Sequence, residues 1–120
     1  MANEKRTSIS FAVVKDVLNA QLSGSLNEDL SGTNVISGRF SATTSWAAIP
    51  VTGLASVDLI AIKNNDATNF IELAVTNDGT NKFAKITAGR MAFFPPAGSV
   101  TLYVKADTAA CDYTIVAVEP

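Results

Sequence analysis

The sequence predicts an all-β protein, an antiparallel β-sandwich or jelly roll with about eight or nine short strands. Short apolar segments recur at roughly ten-residue spacing and are separated by turn residues, mainly Gly, Asn, Asp and Pro. Within most segments apolar and polar residues alternate, as they do on a half-buried strand. No segment has the longer repeat of a convincing amphipathic helix. These observations favour strands packed in two layers.

The N-terminal part divides into a polar arm and the start of the domain. Residues 1–7 are polar and are predicted to form a flexible arm, and residues 8–120 are predicted to form a single β-sandwich domain. The first strand is predicted over 8–14, with Ile9, Phe11 and Val13 on one face. Residues 16–22 fit a short helix or a strand, and we favour the strand because only Gly24 could end the helix. Residues 23–32 are rich in Gly, Ser and Asn, which predicts a long connection.

The middle of the chain contains the segment around which we expect the fold to be organised, residues 56–75. It predicts two strands joined as a hairpin by the polar turn 64–68. Before it, residues 34–44 predict a strand with a bulge or close approach at Gly38. Residues 46–51 predict a short strand that lies at an edge or a bend, because Pro50 cannot donate a backbone hydrogen bond.

The remaining strands follow from turn signals. Asp78-Gly79 lies between apolar segments and predicts a tight type I′ hairpin turn. The last strands are predicted over 82–87, 91–94, 99–106 and 112–118. Leu59–Ile62 is apolar on both faces, although a two-layer sandwich buries only one face of each strand. This predicts that the other face contacts a second subunit.

Composition and charge exclude several classes of partner. The formal net charge is −2 and the basic residues are scattered, so nucleic-acid binding is not predicted. No signal peptide or membrane-spanning segment is recognised, so we expect no membrane association and folding in a cytosol. Cys111 is a lone cysteine in an apolar segment, and we predict a small buried side chain rather than a reactive thiol.

The side chains needed for common catalytic chemistry are missing from the sequence. It contains no histidine, which removes Ser/His/Asp and Cys/His nucleophile systems. Asp66, Asn69, Asp78 and Asp107 fall in predicted turns, where such residues usually bond the backbone. Glu72 is predicted to face outward or to form an ion pair with Lys85 or Lys63. No enzyme activity, catalytic residue or cofactor is predicted.

The sequence contains candidate residues for two kinds of binding site. The Asn/Asp-rich turns could offer oxygen ligands to Ca²⁺, but they lack the spacing of a calcium loop, so no metal site is predicted. A sugar platform is the other candidate, because the chain has several aromatic residues. The aromatic residues that could line it are Trp46, Phe70, Phe93, Phe94, Tyr103 and Tyr113. Most of them fall at strand positions suited to a core or an interface, which we favour.

Three stretches give the chain a resemblance to a known family. They read K-N-N-D-A-T-N-F-I-E at 63–72, K-I-T-A-G-R at 85–90 and L-Y-V-K-A-D-T-A at 102–109. Their order resembles small virion structural proteins of tailed bacteriophages, and it covers the second half of the chain better than the first. The resemblance implies a non-enzymatic β-sandwich subunit of the virion, most simply a capsid decoration (cement) protein. The alternatives are a tail or tail-fibre component and a carbohydrate-binding module.

The partners implied by this resemblance are further copies of the chain, most simply in a trimer, and the major capsid protein or neighbouring virion proteins. The predicted location is the virion, after synthesis in the bacterial cytoplasm. Candidate interface residues are taken from the polar arm and from strands that are apolar on both faces. They are Lys5, Arg6, Leu59, Ile60, Ile62, Phe93 and Phe94.

Overall fold

The structure, a computed structural model, describes residues 5–30, 34–97 and 100–120. These residues form ten strands, and the prediction of an all-β fold of antiparallel strands is confirmed. The contacts divide the chain into two compact units, Met1–Gly32 and Thr33–Pro120. Within the described ranges there is no helix of the length and apolarity that crossing a membrane requires.

The N-terminal unit is a two-stranded antiparallel hairpin. Strands β1 (Lys5–Lys15) and β2 (Leu18–Glu28) pair over their full length of 11 residues each. The turn between them consists of Asp16 and Val17, and Asp16 has a positive φ of 52°. A two-residue turn with positive φ matches the twist of the paired strands, which explains the tight connection.

The C-terminal unit is a sandwich of two four-stranded sheets. Its strands are β3 (Val35–Ala42), β4 (Ala47–Ala48), β5 (Leu59–Asn64), β6 (Ile71–Ala74), β7 (Lys82–Ile86), β8 (Met91–Phe94), β9 (Tyr103–Ala106) and β10 (Cys111–Val118). The first sheet has the order β3-β10-β5-β8 and the second has the order β4-β9-β6-β7. Eight strands arranged in this order have the connectivity of a jelly roll, in which the chain repeatedly crosses between the sheets.

The core of the sandwich comes from alternate residues of the strands. In β10 the residues from Cys111 to Ala117 alternate between buried and solvent-facing positions. Ile60 and Ile62 of β5 face the same interior and are 0% and 1% exposed. Aliphatic side chains of the second sheet, such as Ile71 and Leu73, complete the core. Side chains of alternating polarity therefore specify which face of each strand is buried.

The predicted central hairpin at 56–75 is wrong, although both of its strands exist. β5 lies in the first sheet and β6 lies in the second, so the intervening residues cross between sheets. The crossing is held by the side chain of Asn64, which is fully buried at the end of β5. Polar residues between two apolar segments are equally compatible with a hairpin turn and with such a crossing, and the sequence does not distinguish them.

Several predicted boundaries in the first unit also differ from the structure. β1 begins at Lys5, so Lys5, Arg6 and Thr7 of the predicted arm belong to a strand. The predicted connection at 23–32 contains the second half of β2, which continues to Glu28. The favoured strand over 16–22 is confirmed from Leu18 onward. Residues 1–4 and 31–33 lie outside the described residues.

Other turn and edge predictions have mixed outcomes. β4 is an edge strand, as Pro50 indicated. The β6–β7 hairpin exists, but only Gly79 has a positive φ, so the predicted type I′ turn at Asp78-Gly79 is wrong. Pairing of β3 with β10 is continuous through Gly38, which excludes a bulge there. The ring of Phe40 instead covers this glycine, at 3.4 Å from the position of a Cβ.

Candidate interaction surfaces

The structure separates the candidate interface residues into buried and exposed groups. Ile60 and Ile62 lie in the core and are not available to a partner. Phe94 pairs with Ile60 on the inner side of the first sheet, and its ring contacts Phe83 edge to face at 5.6 Å. Leu59 and Phe93 point to the outer face and are half-buried and 40% exposed, respectively.

The remaining candidates lie in the N-terminal hairpin. Lys5 is opposite Glu28, and Arg6 is opposite Asn27. Lys5 is half-buried and Arg6 is exposed. Successive residues of a strand point to opposite faces, so these two side chains do not belong to the same surface.

The outer face of the first sheet presents an apolar patch that joins three strands and continues onto a fourth. Val118 lies opposite both Val35 and Leu59, and Val116 lies opposite Ala61, which is itself opposite Phe93. Val35, Val116 and Phe93 are 50%, 44% and 40% exposed. We call these residues the apolar patch: Val35, Leu59, Ala61, Phe93, Val116 and Val118.

The outer face of the second sheet has a different character. Glu72 lies opposite both Lys85 and Lys105, and its carboxylate is 3.4 Å from the Nζ of Lys82. The prediction that Glu72 faces outward is confirmed, but its ion pair is with Lys82 rather than with the predicted Lys85 or Lys63. The Nζ of Lys85 lies 4.1 Å from the centre of the Phe70 ring. This face is therefore charged and suited to water, and the apolar patch is on the opposite side of the sandwich.

The hairpin of the first unit has one apolar face and one polar face. The apolar face consists of four cross-strand pairs and of Leu18, which follows the turn. The pairs are Thr7 with Leu26, Ile9 with Gly24, Phe11 with Leu22 and Val13 with Ala20. We call these nine residues the hairpin face. Its six large members are between 44% and 71% exposed. The other side carries serine pairs, Ser8 with Ser25 and Ser10 with Ser23. The exposed apolar side chains of this hairpin therefore form one contiguous surface, which is larger than the isolated apolar residues found on most protein surfaces.

The crossing between β5 and β6 uses polar side chains to bond its own backbone. The carboxylate of Asp66 accepts hydrogen bonds from the backbone N–H groups of Asn69 at 2.6 Å and Thr68 at 3.0 Å. Asn69 accepts a bond from the hydroxyl of Thr108, which ties this crossing to the one between β9 and β10. Asp78 likewise accepts from the backbone of Thr80. These side chains serve their turns, as the sequence predicted for Asp66 and Asp78.

The hydrogen bonds to Asp66 make stability depend on pH in acid. The N–H groups of Asn69 and then Thr68 hold the pKa of Asp66 below its ordinary value of 3.8. A lowered pKa in the folded state adds stability above the unfolded pKa, and this contribution is lost as pH falls through the folded value. We expect the melting temperature of Asp66→Asn to fall less than that of the wild type below about pH 4. Melting curves of both proteins from pH 7 to pH 2 measure this, and equal slopes for wild type and Asp66→Asn would contradict it.

The described part of the chain offers no activated nucleophile or metal-ligand cluster. The thiol of Cys111 is buried, as predicted, and burial raises its pKa above the ordinary value. Burial also raises the pKa of Tyr113 to about 12. Among these residues no group of three or more acidic or cysteine side chains could hold a metal ion, and no buried side-chain nitrogen or oxygen lacks a partner.

Comparison with known proteins adds no relative: no family model, no curated protein and no solved structure matches the chain. The fold and the exposed surfaces are therefore the basis for any assignment of function.

Sequence reasoning missed most residues of both exposed surfaces. The pattern Leu18-x-Ala20-x-Leu22-x-Gly24-x-Leu26 alternates strictly and could have extended the strand predicted over 16–22 as far as Leu26. Its intervening Ser and Asn residues resemble a loop in composition, which concealed the alternation. Val35, Val116 and Val118 can be assigned to the apolar patch only when β10 is known to lie between β3 and β5. That pairing joins residues far apart in the chain, and no local signal encodes it.

Proposed function

We propose that this chain is a non-enzymatic structural protein of a tailed-bacteriophage virion, acting as a capsid decoration (cement) protein. The observation that carries the proposal is the apolar patch, which occupies one end of the outer face of the first sheet, whereas the other end carries Lys63 and the ion pair of Arg39 with Asp112. A side chain such as Val116 contributes more when a partner removes it from water than when it stays exposed. A contiguous exposed apolar patch is typical of a surface that binds a partner.

Two further features support the virion assignment. The jelly roll is a fold that viral capsid proteins use, although unrelated proteins such as lectins use it too. The three motifs that resemble phage proteins lie at the β5–β6 crossing with the start of β6, at the β7–β8 turn, and on β9 with its crossing to β10. The expected partners are the major capsid protein and further copies of this chain in a trimer. The attached subunits would reinforce the contacts between neighbouring capsomers.

A sugar-binding platform is less well supported by the described aromatic residues. Phe83 and Phe94 form one close pair, but their rings are inclined at 80°. A platform for sugars requires rings that lie in one exposed plane. The Phe40–Tyr113 pair contains a tyrosine that is only 2% exposed.

The proposal is tested by adding the purified chain to phage particles that lack it. We expect the wild type to bind the head in many copies and to raise the temperature at which particles release DNA. Val116→Asp, which places a charge in the apolar patch, should reduce bound copies about tenfold or more. Asn77→Asp adds the same charge in an exposed turn and should bind like the wild type. Location in the tail would replace the proposal with a tail role, and absence from purified virions would reject it.

A further inference from the structure

We propose that the hairpin face packs against the hairpin face of a second copy of this chain, with the two hairpins parallel and their tips at the same end. This inference concerns residues 5–28 and does not depend on the proposed function. A two-stranded ribbon has no second layer of its own to cover an apolar face, and it is marginally stable in water alone. The face needs a cover that is apolar, elongated and about one ribbon wide.

Only the parallel arrangement brings opposite charges at the ends of the two hairpin faces together. A half-turn about an axis along the strands places β1 of one copy over β2 of the other. Lys5 of each copy then lies over Glu28 of its partner, because these residues form one row of the hairpin. The antiparallel arrangement would instead bring Lys5 over Lys15 of the second copy, and two like charges would oppose association.

The parallel arrangement also matches side-chain size. Gly24 is opposite Ile9, and a Cβ built on Gly24 would meet nothing within 4 Å. The open space belongs to a groove of about 340 Å³ lined by residues that include Ile9, Leu22 and Leu26. In the parallel pair, Ile9 of each copy lies over Gly24 of the other. Phe11 likewise lies over Leu22, so large side chains fill the groove.

The size of the contact lies near the lower limit for a specific interface. Eleven residues per strand give a ribbon about 36 Å long and 10 Å wide, so covering both faces removes on the order of 1,000 Å² from water. Two copies related by a half-turn cover the whole of both hairpin faces, so this contact by itself gives a dimer.

The first test compares two neighbouring positions on β1 in the full chain. Phe11→Asp places a charge in the centre of the hairpin face, and Ser10→Asp places the same charge on the polar face. We expect light scattering at micromolar concentration to show an oligomer for the wild type and for Ser10→Asp. Phe11→Asp should be monomeric, with its dissociation constant raised about a hundredfold or more. A monomeric wild type, or an oligomer that survives Phe11→Asp, would overturn the proposal.

A second test keeps the proposal falsifiable if Phe11→Asp disrupts the hairpin itself. Lys5→Glu gives a hairpin with two acids in its end row, and Glu28→Lys gives one with two lysines. Each variant alone is expected to associate more weakly than the wild type, because like charges meet across the interface. An equimolar mixture should recover association, since opposite charges then meet between copies. The recovery must weaken in high salt. A mixture that associates no better than its components shows that these ends do not meet, which overturns the parallel packing.

Discussion

Replacing Asn64 with alanine is expected to destabilise the sandwich by about 4 kcal/mol, because three hydrogen bonds of a fully buried amide are lost together. Its Nδ2 donates to the carbonyl oxygens of Asn69 at 2.9 Å and Ile86 at 3.0 Å. Its Oδ1 accepts from the N–H of Asp66 at 2.9 Å. In Asn64→Ala the carbonyl of Ile86 would remain in the interior without this donor. That unsatisfied group adds to the loss of the bonds themselves.

The neighbouring asparagine provides the control for this prediction. The Nδ2 of Asn65 donates to the hydroxyl of Thr114 at 2.7 Å, and Asn65 is only half-buried. Asn65→Ala should therefore cost about 1 kcal/mol, since water can replace the lost partner. Urea unfolding followed by far-UV circular dichroism measures both variants. Equal costs for the two would show that the amide of Asn64 does not hold the crossing between the sheets.

Gly79→Ala is expected to destabilise the sandwich by about 3 kcal/mol, because the new side chain would meet both an unfavourable backbone conformation and a close contact. The φ of Gly79 is 73°, a conformation that L-residues with a Cβ rarely adopt. A Cβ at this position would also lie 2.5 Å from the Nε1 of Trp46, so the indole ring would have to move. Overpacking of this kind typically costs 1–3 kcal/mol in addition to the backbone strain.

Gly89 has the same backbone conformation as Gly79 but has no side chain close to it, so it separates the two causes. Its φ is 75°, and a Cβ there would meet nothing within 4 Å. Gly89→Ala should therefore cost only about 1 kcal/mol, the part that comes from positive φ. Urea unfolding gives both free energies, and the fluorescence of Trp46 should change in Gly79→Ala alone. If the two variants are equally destabilised, Trp46 does not restrict this turn.

The sequence predicts the strands of the sandwich better than it predicts their partners. Alternation identifies the inward side of β10 and the outward position of Glu72, because side-chain direction follows from sequence spacing alone. Pairing depends on which residues meet after the chain has crossed the core. Asn64 illustrates the difference, since a polar residue at the end of an apolar strand reads as the start of a turn. Its burial is visible only when Ile86 and Asn69 are placed around it.

The exposed surfaces could be predicted only in part for a related reason. Leu59 and Phe93 were recognised from strands that are apolar on both faces, but Ile60 and Ile62 came from the same strands and are buried. A strand's sequence does not state which of two apolar faces meets the core. The pairing of the first two strands was not predicted, and the second half of β2 was assigned to a connection, because the Ser and Asn residues of β2 that face away from Leu22 and Leu26 have the composition of a loop.

The register of β3 against β10 has a consequence for the response of the sandwich to force. Val35, near the start of the C-terminal unit, is directly opposite Val118, near its end. A pull applied between the residues before Val35 and those after Val118 would load the backbone hydrogen bonds of this pair one after another. Bonds that open in sequence resist a smaller load than bonds sheared together along a strand. A subunit held at its hairpin and pulled at its C-terminal end would therefore peel open from this edge, at Val35 first and at Ala42 last.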